Sequence, residues 1–285
     1  MNYDPRLTPA RPDLAAAFLE GHVEADHFVE GVQHRVVHPT VSVTKEPFGG
    51  ASLMTQALHG ESVTVYESNI EGWSWGQLDD DNYVGWLPTE ALRPVDQHAT
   101  HKVRALRTPV FAGPSIKLPP TNLYSFGCRL IVTGTHDRFV ITDAGEFIFA
   151  AHLVPLGHAE PDFVEVASRF LGAAYLWGGR SSLGLDCSGL VQMALEASGV
   201  SCPRDSDMQE AALGETIPFD GDLDALRRGD LIFWPGHVGI VEDAQTLLHA
   251  TAHFMSVVRE PLAPALERIE QASAPVRTVR RVLPG

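Results

Sequence analysis

Cysteine is scarce in this chain: Cys128, Cys187 and Cys202 are the only three in 285 residues. So few, and an odd number, exclude a disulfide framework, and a reducing compartment is the expectation. Basic residues are also in short supply, 21 Lys and Arg against 36 Asp and Glu, for a formal net charge of -15. A field of that sign argues against nucleic acid and anionic membrane surfaces as partners, and against retention on an anionic cell wall. No apolar run approaches the roughly 18 residues that a membrane span requires. The opening Met1-Asn2-Tyr3-Asp4-Pro5-Arg6 has no basic segment followed by an apolar core, so no secretory signal is expected and the predicted location is cytoplasmic. Histidines are numerous, but His22, His27, His34 and His38 lack ligand spacing and there is no Cys-x-x-Cys. No metal and no other cofactor is expected. Oligomeric state is not legible in the sequence.

Hydrophobic residues make up 44% of the chain, enough for sizeable cores, and the length predicts two or three domains. Residues 1–30 read as an N-terminal arm, with a short helix over Asp13–Leu19 capped by Asp13 after Pro12. Residues 31–95 read as strands, with β-branched stretches such as Ser62-Val63-Thr64-Val65-Tyr66 punctuated by Gly49-Gly50, Gly60, Gly72 and Gly76. Residues 102–155 read the same way, and Arg107-Thr108-Pro109-Val110-Phe111 echoes Thr44-Lys45-Glu46-Pro47-Phe48, as in a tandem repeat. The polar stretch 96–101 is the linker. At Pro161 the period changes again, and 158–285 reads as a separate domain. Phe163, Val166, Phe170 and Leu171 have helical spacing, a second helix follows Cys187 and closes at Gly199, and a short third opens near Asp205. Strands then follow at 230–234, 237–241, 246–250, 256–259 and 277–282. Helices first and an antiparallel sheet after is an α+β order.

The chemistry converges on Tyr175-Leu176-Trp177-Gly178-Gly179-Arg180 and Asp186-Cys187-Ser188-Gly189-Leu190. A glycine-rich turn leads to a cysteine that opens a helix, where free N–H groups and the helix dipole favour thiolate. A lone cysteine is usually a packing residue; here polar Asp186 and Ser188 and tight Gly189 argue for a nucleophile. Such a nucleophile needs an imidazole base and a group that orients it. His237, after the Pro235-Gly236 turn, opens one strand, and His249 lies twelve residues on in the next. A hairpin brings the two together, so that His249 fixes the tautomer of His237. Arg180 and Ser181, on the loop before the cysteine, are placed to hold substrate carboxylates.

The residues Asp186-Cys187-Ser188-Gly189-Leu190, Arg228-Gly229-Asp230-Leu231, His237-Val238-Gly239-Ile240 and His249-Ala250 resemble the NlpC/P60 cysteine peptidases over about 161–282. The resemblance implies a papain-like α+β domain, with Cys187 as nucleophile, His237 as base and His249 as the orienting third residue. Farther upstream, Leu58-His59-Gly60-Glu61-Ser62-Val63, Trp73-Ser74-Trp75 and Gly85-Trp86-Leu87-Pro88 resemble a bacterial SH3 domain. The expected architecture is therefore two small SH3-like β-barrels, the second divergent, ahead of the peptidase domain. Together these features are similar to the SH3-containing γ-D-glutamyl-L-diamino acid endopeptidases (dipeptidyl-peptidase VI). That likeness implies cleavage of murein stem peptides with a free N-terminal L-Ala, whether diaminopimelate or lysine follows, in cell-wall peptide recycling. It also implies substrate contacts at Tyr175, Trp177, Ser188, Asp205 and Ser206, with Glu61 and Tyr83 of the first SH3-like domain, or Trp86 or Asp81 in their place, beside the free amine. Three alternatives remain at this point. One is a secreted hydrolase of intact peptidoglycan, another an inactive SH3-type peptide-binding protein, and the third an amidase or acyltransferase on the same core.

Overall fold

The structure is a computed structural model and describes residues 3–282. The chain divides into two compact units after Gly157. In the first unit the arm does not form the expected helix. Leu14–Ala16 is extended and pairs in parallel with His27–Val29, and only Ala17–Leu19 turns, as a single 3-10 turn. Asp13 caps nothing and instead binds the Arg11 guanidinium. Strand pairing here outweighs local propensity, because it buries Ala15 and Ala16 completely. Arg11 in turn lies over the rings of Trp75 and Trp86, 4.3 and 5.0 Å from their centroids, and bonds Glu67, which ties the arm down.

Seven antiparallel strands follow in one sheet: Val32–Val36, Thr40–Thr44, Leu53–Leu58, Ser62–Ser68, Trp73–Leu78, Val84–Pro88 and Leu92–Pro94. Alternate residues point inward, so that Val41, Val43, Val63 and Val65 form a core with Tyr83, Leu87 and Leu92. Numbered in chain order, the strands lie side by side as 3-2-6-5-4-1-7. Residues 101–155 repeat this order with His101–Val103, Arg107–Phe111, Pro120–Ser125, a fourth strand broken into Arg129–Leu130 and Val132–His136, then Phe139–Thr142, Phe147–Phe149 and Leu153–Pro155. The break divides the set into a sheet of order 3-2-6-5-4 and one of order 4-1-7. Each set also places a 3-10 turn before its last strand, at Thr89–Ala91 and Ala150–His152. Ion pairs Arg35–Asp143 and Arg129–Asp80, each at 2.6 Å, join the two sets. Gly60 is required at the same junction: its φ is +80°, and a Cβ there would collide with the carbonyl of Arg129.

The second unit has four helices among the described residues, α1 (Phe163–Ser168), α2 (Cys187–Ala197), α3 (Ser206–Ala212) and α4 (Leu262–Ala272). The first three are where the sequence puts them. Asp162 caps α1 by accepting the N–H of Val164 at 2.8 Å. The fourth lies in a stretch to which the sequence reading assigns no element; Pro264 sits in its first turn, where no intrahelical N–H is needed. The nine-stranded sheet has a central antiparallel run of Ser256–Pro261, Thr246–Thr251, His237–Asp243, Asp230–Trp234 and Thr278–Arg281. Ile232, Trp234, Val241 and Leu247 from its strands pack with Leu262, Ala265 and Ile269 of α4. No described helix is long and apolar enough to cross a membrane.

Candidate active site

Cys187 is the first residue of α2, and Asp186 is its cap. The Asp186 carboxylate accepts the N–H groups of Gly189 at 2.7 Å and Gly178 at 2.8 Å, and so joins the helix start to the glycine-rich turn. Gly189 has to be glycine, since a Cβ would run into the carbonyl of Gly179. A fully buried guanidinium, Arg204, completes the arrangement. It donates to both Asp186 oxygens at 2.9 and 2.8 Å, to Ser188 Oγ at 2.9 Å and to the Gly179 carbonyl at 3.2 Å. Sequence reasoning passed over Arg204, although it directly precedes the singled-out Asp205.

His237 opens its strand opposite Trp234. Its Nε2 lies 2.9 Å from Nδ1 of His249, as the hairpin spacing predicts. His249 is 1% exposed, and its Nε2 lies 2.7 Å from the carboxylate of Glu260, a residue the sequence reading did not single out. The thiol of Cys187 is close to the backbone N–H of Val238, next in the chain to His237, and to that of Ser188. The start of the His237 strand thus carries the base and, through the N–H of the next residue, approaches the nucleophile, while His249 reaches His237 from the neighbouring strand.

The charge state of the pair differs from the expectation of a thiolate. Burial pushes the Cys187 thiol up, and the Asp186 carboxylate adds to it. The N–H groups of Val238 and Ser188 and the charge of Arg204 oppose this but do not prevail. Burial pushes His237 down, reinforced by His249 and Arg268. Both directions favour a neutral thiol beside a neutral imidazole, so the helix N-terminus is outweighed by desolvation and by its own cap. A raised thiol pKa means little thiolate at neutral pH. Alkylation of Cys187 by iodoacetamide is therefore expected to accelerate as pH rises through neutrality into the alkaline range. A rate plateau extending into the acid range would mark a resting thiolate–imidazolium pair and contradict this charge state.

The remaining site residues separate into two groups. Tyr175 is half-buried, and Trp177 is 69% exposed, so neither is a core aromatic. Burial and the nearby Cys187 and Asp186 raise the Tyr175 hydroxyl, which places it in the electrostatic reach of the thiol. Asp205 and Ser206 are half-buried at the start of α3, and Asp205 makes no side-chain capping bond there although it holds the cap position. The others are turned to structural work. Ser188 is 5% exposed and bonded to Asp186 and Arg204, so it braces the helix start instead of facing substrate. Arg180 and Ser181, expected to hold carboxylates, are each 1% exposed, with Arg180 paired to Glu196. Glu61 is buried with Oε2 accepting the Leu58 N–H at 2.9 Å, as a brace of its own turn. Tyr83 follows Asn82, which has a positive φ of 62°, and its ring lies in the core of the first sheet. An amine-pocket wall is accordingly not assigned to Glu61 and Tyr83.

Known proteins share both halves of this arrangement. Residues 43–92 match the family described as the bacterial dipeptidyl-peptidase Sh3 domain, and residues 172–266 match the NlpC/P60 family. The chain is 31% identical over 221 residues to a gamma-D-glutamyl-L-lysine dipeptidyl-peptidase of Bacillus subtilis, covering 70% of this chain and 72% of that protein. It is 28% identical over 205 residues to the Bacillus cereus protein of the same name, covering 64% of this chain and 60% of the other. A crystal structure of an NlpC/P60 family protein from Bacillus cereus superposes with a TM-score of 0.73 at 20% identity, over 88% of this chain and all of that one, a likeness of fold.

Proposed function

The chain belongs to the NlpC/P60 family of cysteine peptidases, and from that premise we propose that it hydrolyses the γ-D-glutamyl–L-diamino acid bond of murein stem peptides that carry a free N-terminal L-Ala. The observation that carries this reading is the approach of the Cys187 thiol to the N–H of Val238, the residue after His237 of the His237–His249 pair, in a chain whose relatives are named for γ-D-glutamyl dipeptidyl-peptidase activity. In the proposed reaction, neutral His237 takes the thiol proton as sulfur attacks the γ-carbonyl of D-Glu. The oxyanion is met by the backbone N–H of Cys187 at the α2 start and by the Tyr175 hydroxyl, which lies in the electrostatic reach of the sulfur. His237 then delivers the proton to the leaving amine of the diamino acid, and water releases the thioester by the same base.

The free α-ammonium is assigned to Asp205. Its half-buried carboxylate stands at the N-terminal end of α3, and a carboxylate that pairs with an ammonium disfavours a blocked N-terminus. The acidic charge of the chain supports soluble fragments over anionic wall as substrate, and with it a cytoplasmic recycling role. Residues 101–155 are read as a second SH3-like barrel, on the support of the repeated strand order.

The test uses L-Ala-γ-D-Glu-diaminopimelate, the same peptide ending in lysine, their N-acetylated forms and intact sacculi. Cleavage of the free-amine peptides alone is expected. Release of material from sacculi would favour the wall-hydrolase alternative, and turnover of neither substrate would overturn the reading.

A further inference from the structure

Glu260 closes the histidine pair from behind, and strand register explains how. His249 pairs directly with Val258, and Leu247 with Glu260, so His249 and Glu260 are diagonal neighbours on one face. Ile240 pairs with Leu248, which makes His237 and His249 diagonal neighbours on the same face. Diagonal positions, about 7–8 Å apart, suit long or cyclic polar side chains. The result is a continuous line from His237 Nε2 to His249 Nδ1 at 2.9 Å and from His249 Nε2 to Glu260 at 2.7 Å. Arg268 of α4 then bonds Glu260 at 2.6 Å. Burial works against the charge of Glu260, but the bonds from His249 and Arg268 outweigh it and hold the carboxyl at about 2. The neighbouring Arg259 is engaged elsewhere, with Glu242.

We propose that Glu260 is a positioning residue that selects the ring tautomers of both histidines, and so leaves a lone pair on His237 Nδ1 for the Cys187 proton. An ionised carboxylate only accepts hydrogen bonds, so His249 must carry its proton on Nε2. Neutral His249 then accepts at Nδ1, and His237 must donate from Nε2. His237 Nδ1 is left unprotonated. During attack the S–H bond breaks and leaves its electron pair on sulfur, an N–H bond forms at His237 Nδ1, and the positive charge arises one ring away from an ionised carboxylate. Without Glu260, His249 is free to hold its proton on Nδ1. That forces the His237 proton onto Nδ1 as well, the wrong atom for a base. The inference rests on the peptidase reading but assigns a residue outside the Cys–His–His set.

The test compares Glu260→Ala with Glu260→Gln, whose carbonyl oxygen still accepts from His249. Loss of the carboxylate is expected to lower kcat by about 10- to 100-fold with little change in KM, and the Gln variant to recover much of it. Nitrogen-15 spectra of the histidine rings read the tautomers directly: His237 is expected as the Nε2–H form in the parent and as a mixture in Glu260→Ala. Cys187 alkylation without substrate is expected to slow in parallel. The last two measurements need no peptide, so they separate this inference from the choice of substrate. Should Glu260→Ala not fold, Glu260→Met fills the space without an acceptor and takes its place. An unchanged His237 tautomer in the acceptor-free variant would overturn the proposal, as would kcat within about twofold of the parent.

Discussion

Cys187→Ser is expected to reduce kcat/KM on the free-amine peptide by about 10⁴-fold or more, with the fold intact. The substitution exchanges one atom in a site that is 7% exposed, and the cap on α2 comes from Asp186, not from the thiol. Stability therefore has little reason to change. The chemistry has every reason to. The neutral imidazole of His237 is a weak base, because burial and its neighbours disfavour its protonated form. A thiol that burial has already made reluctant to ionise still gives a highly nucleophilic sulfur on transfer, whereas a hydroxyl is several units less acidic and forms a poorer nucleophile. The check is a progress curve on the peptide, together with calorimetric binding of the same peptide to the Ser variant. Retained binding with lost turnover assigns Cys187 to catalysis. Turnover within about 100-fold of the parent would mean that another group attacks.

The parts of the site legible in the sequence are those whose meaning is local. Cys187 declares itself because a glycine-rich turn and Asp186 stand before it in the chain and Ser188-Gly189 directly after. His237 and His249 are legible because hairpin spacing is a local rule. Glu260 is not, since it lies just past the strand expected over 256–259, next to Pro261, with no local signal of its own. Its contact with His249 depends on the register of a second hairpin, and its charge on an arginine from α4, a helix hidden behind two prolines. The thiolate expected at a helix start fails for a related reason. The dipole can be read from the sequence, whereas the burial of Cys187 is a property of the packed domain. In the first unit, alternating residues and glycine turns reveal the strands, but not that Leu14–Ala16 finds His27–Val29 before it can coil. Glu61 and Tyr83 were expected beside the free amine, from a turn and a strand, whereas both are buried, Glu61 on the Leu58 N–H and Tyr83 in the core of the first sheet.

Arg204 carries the largest expected effect on stability, because it is where the cap, the turn and the helix start are joined. Arg204→Met is expected to destabilise the peptidase unit by about 3–5 kcal/mol. The methionine fills much of the volume but leaves Asp186 buried without its counter-charge, and Ser188 Oγ and the Gly179 carbonyl each lose a donor. The N–H groups of Gly178 and Gly189 still bond Asp186, so the helix is not expected to be lost outright. Hydrogen exchange along α2 in the intact chain is the suitable measurement, since it reports this unit separately from the strands of residues 3–157. Alkylation should move with it: Arg204 is one of the groups that lower the Cys187 pKa, so its removal drives the thiol further up and slows the reaction at any given pH. Asp186→Asn in the Arg204→Met background removes the stranded charge and is expected to restore part of the stability, though the amide cannot accept as the carboxylate does at both Gly178 and Gly189. A loss below about 1 kcal/mol for Arg204→Met, or no recovery in the double variant, would mean that water replaces the guanidinium and that Asp186 needs no buried partner to hold the nucleophile at the head of its helix.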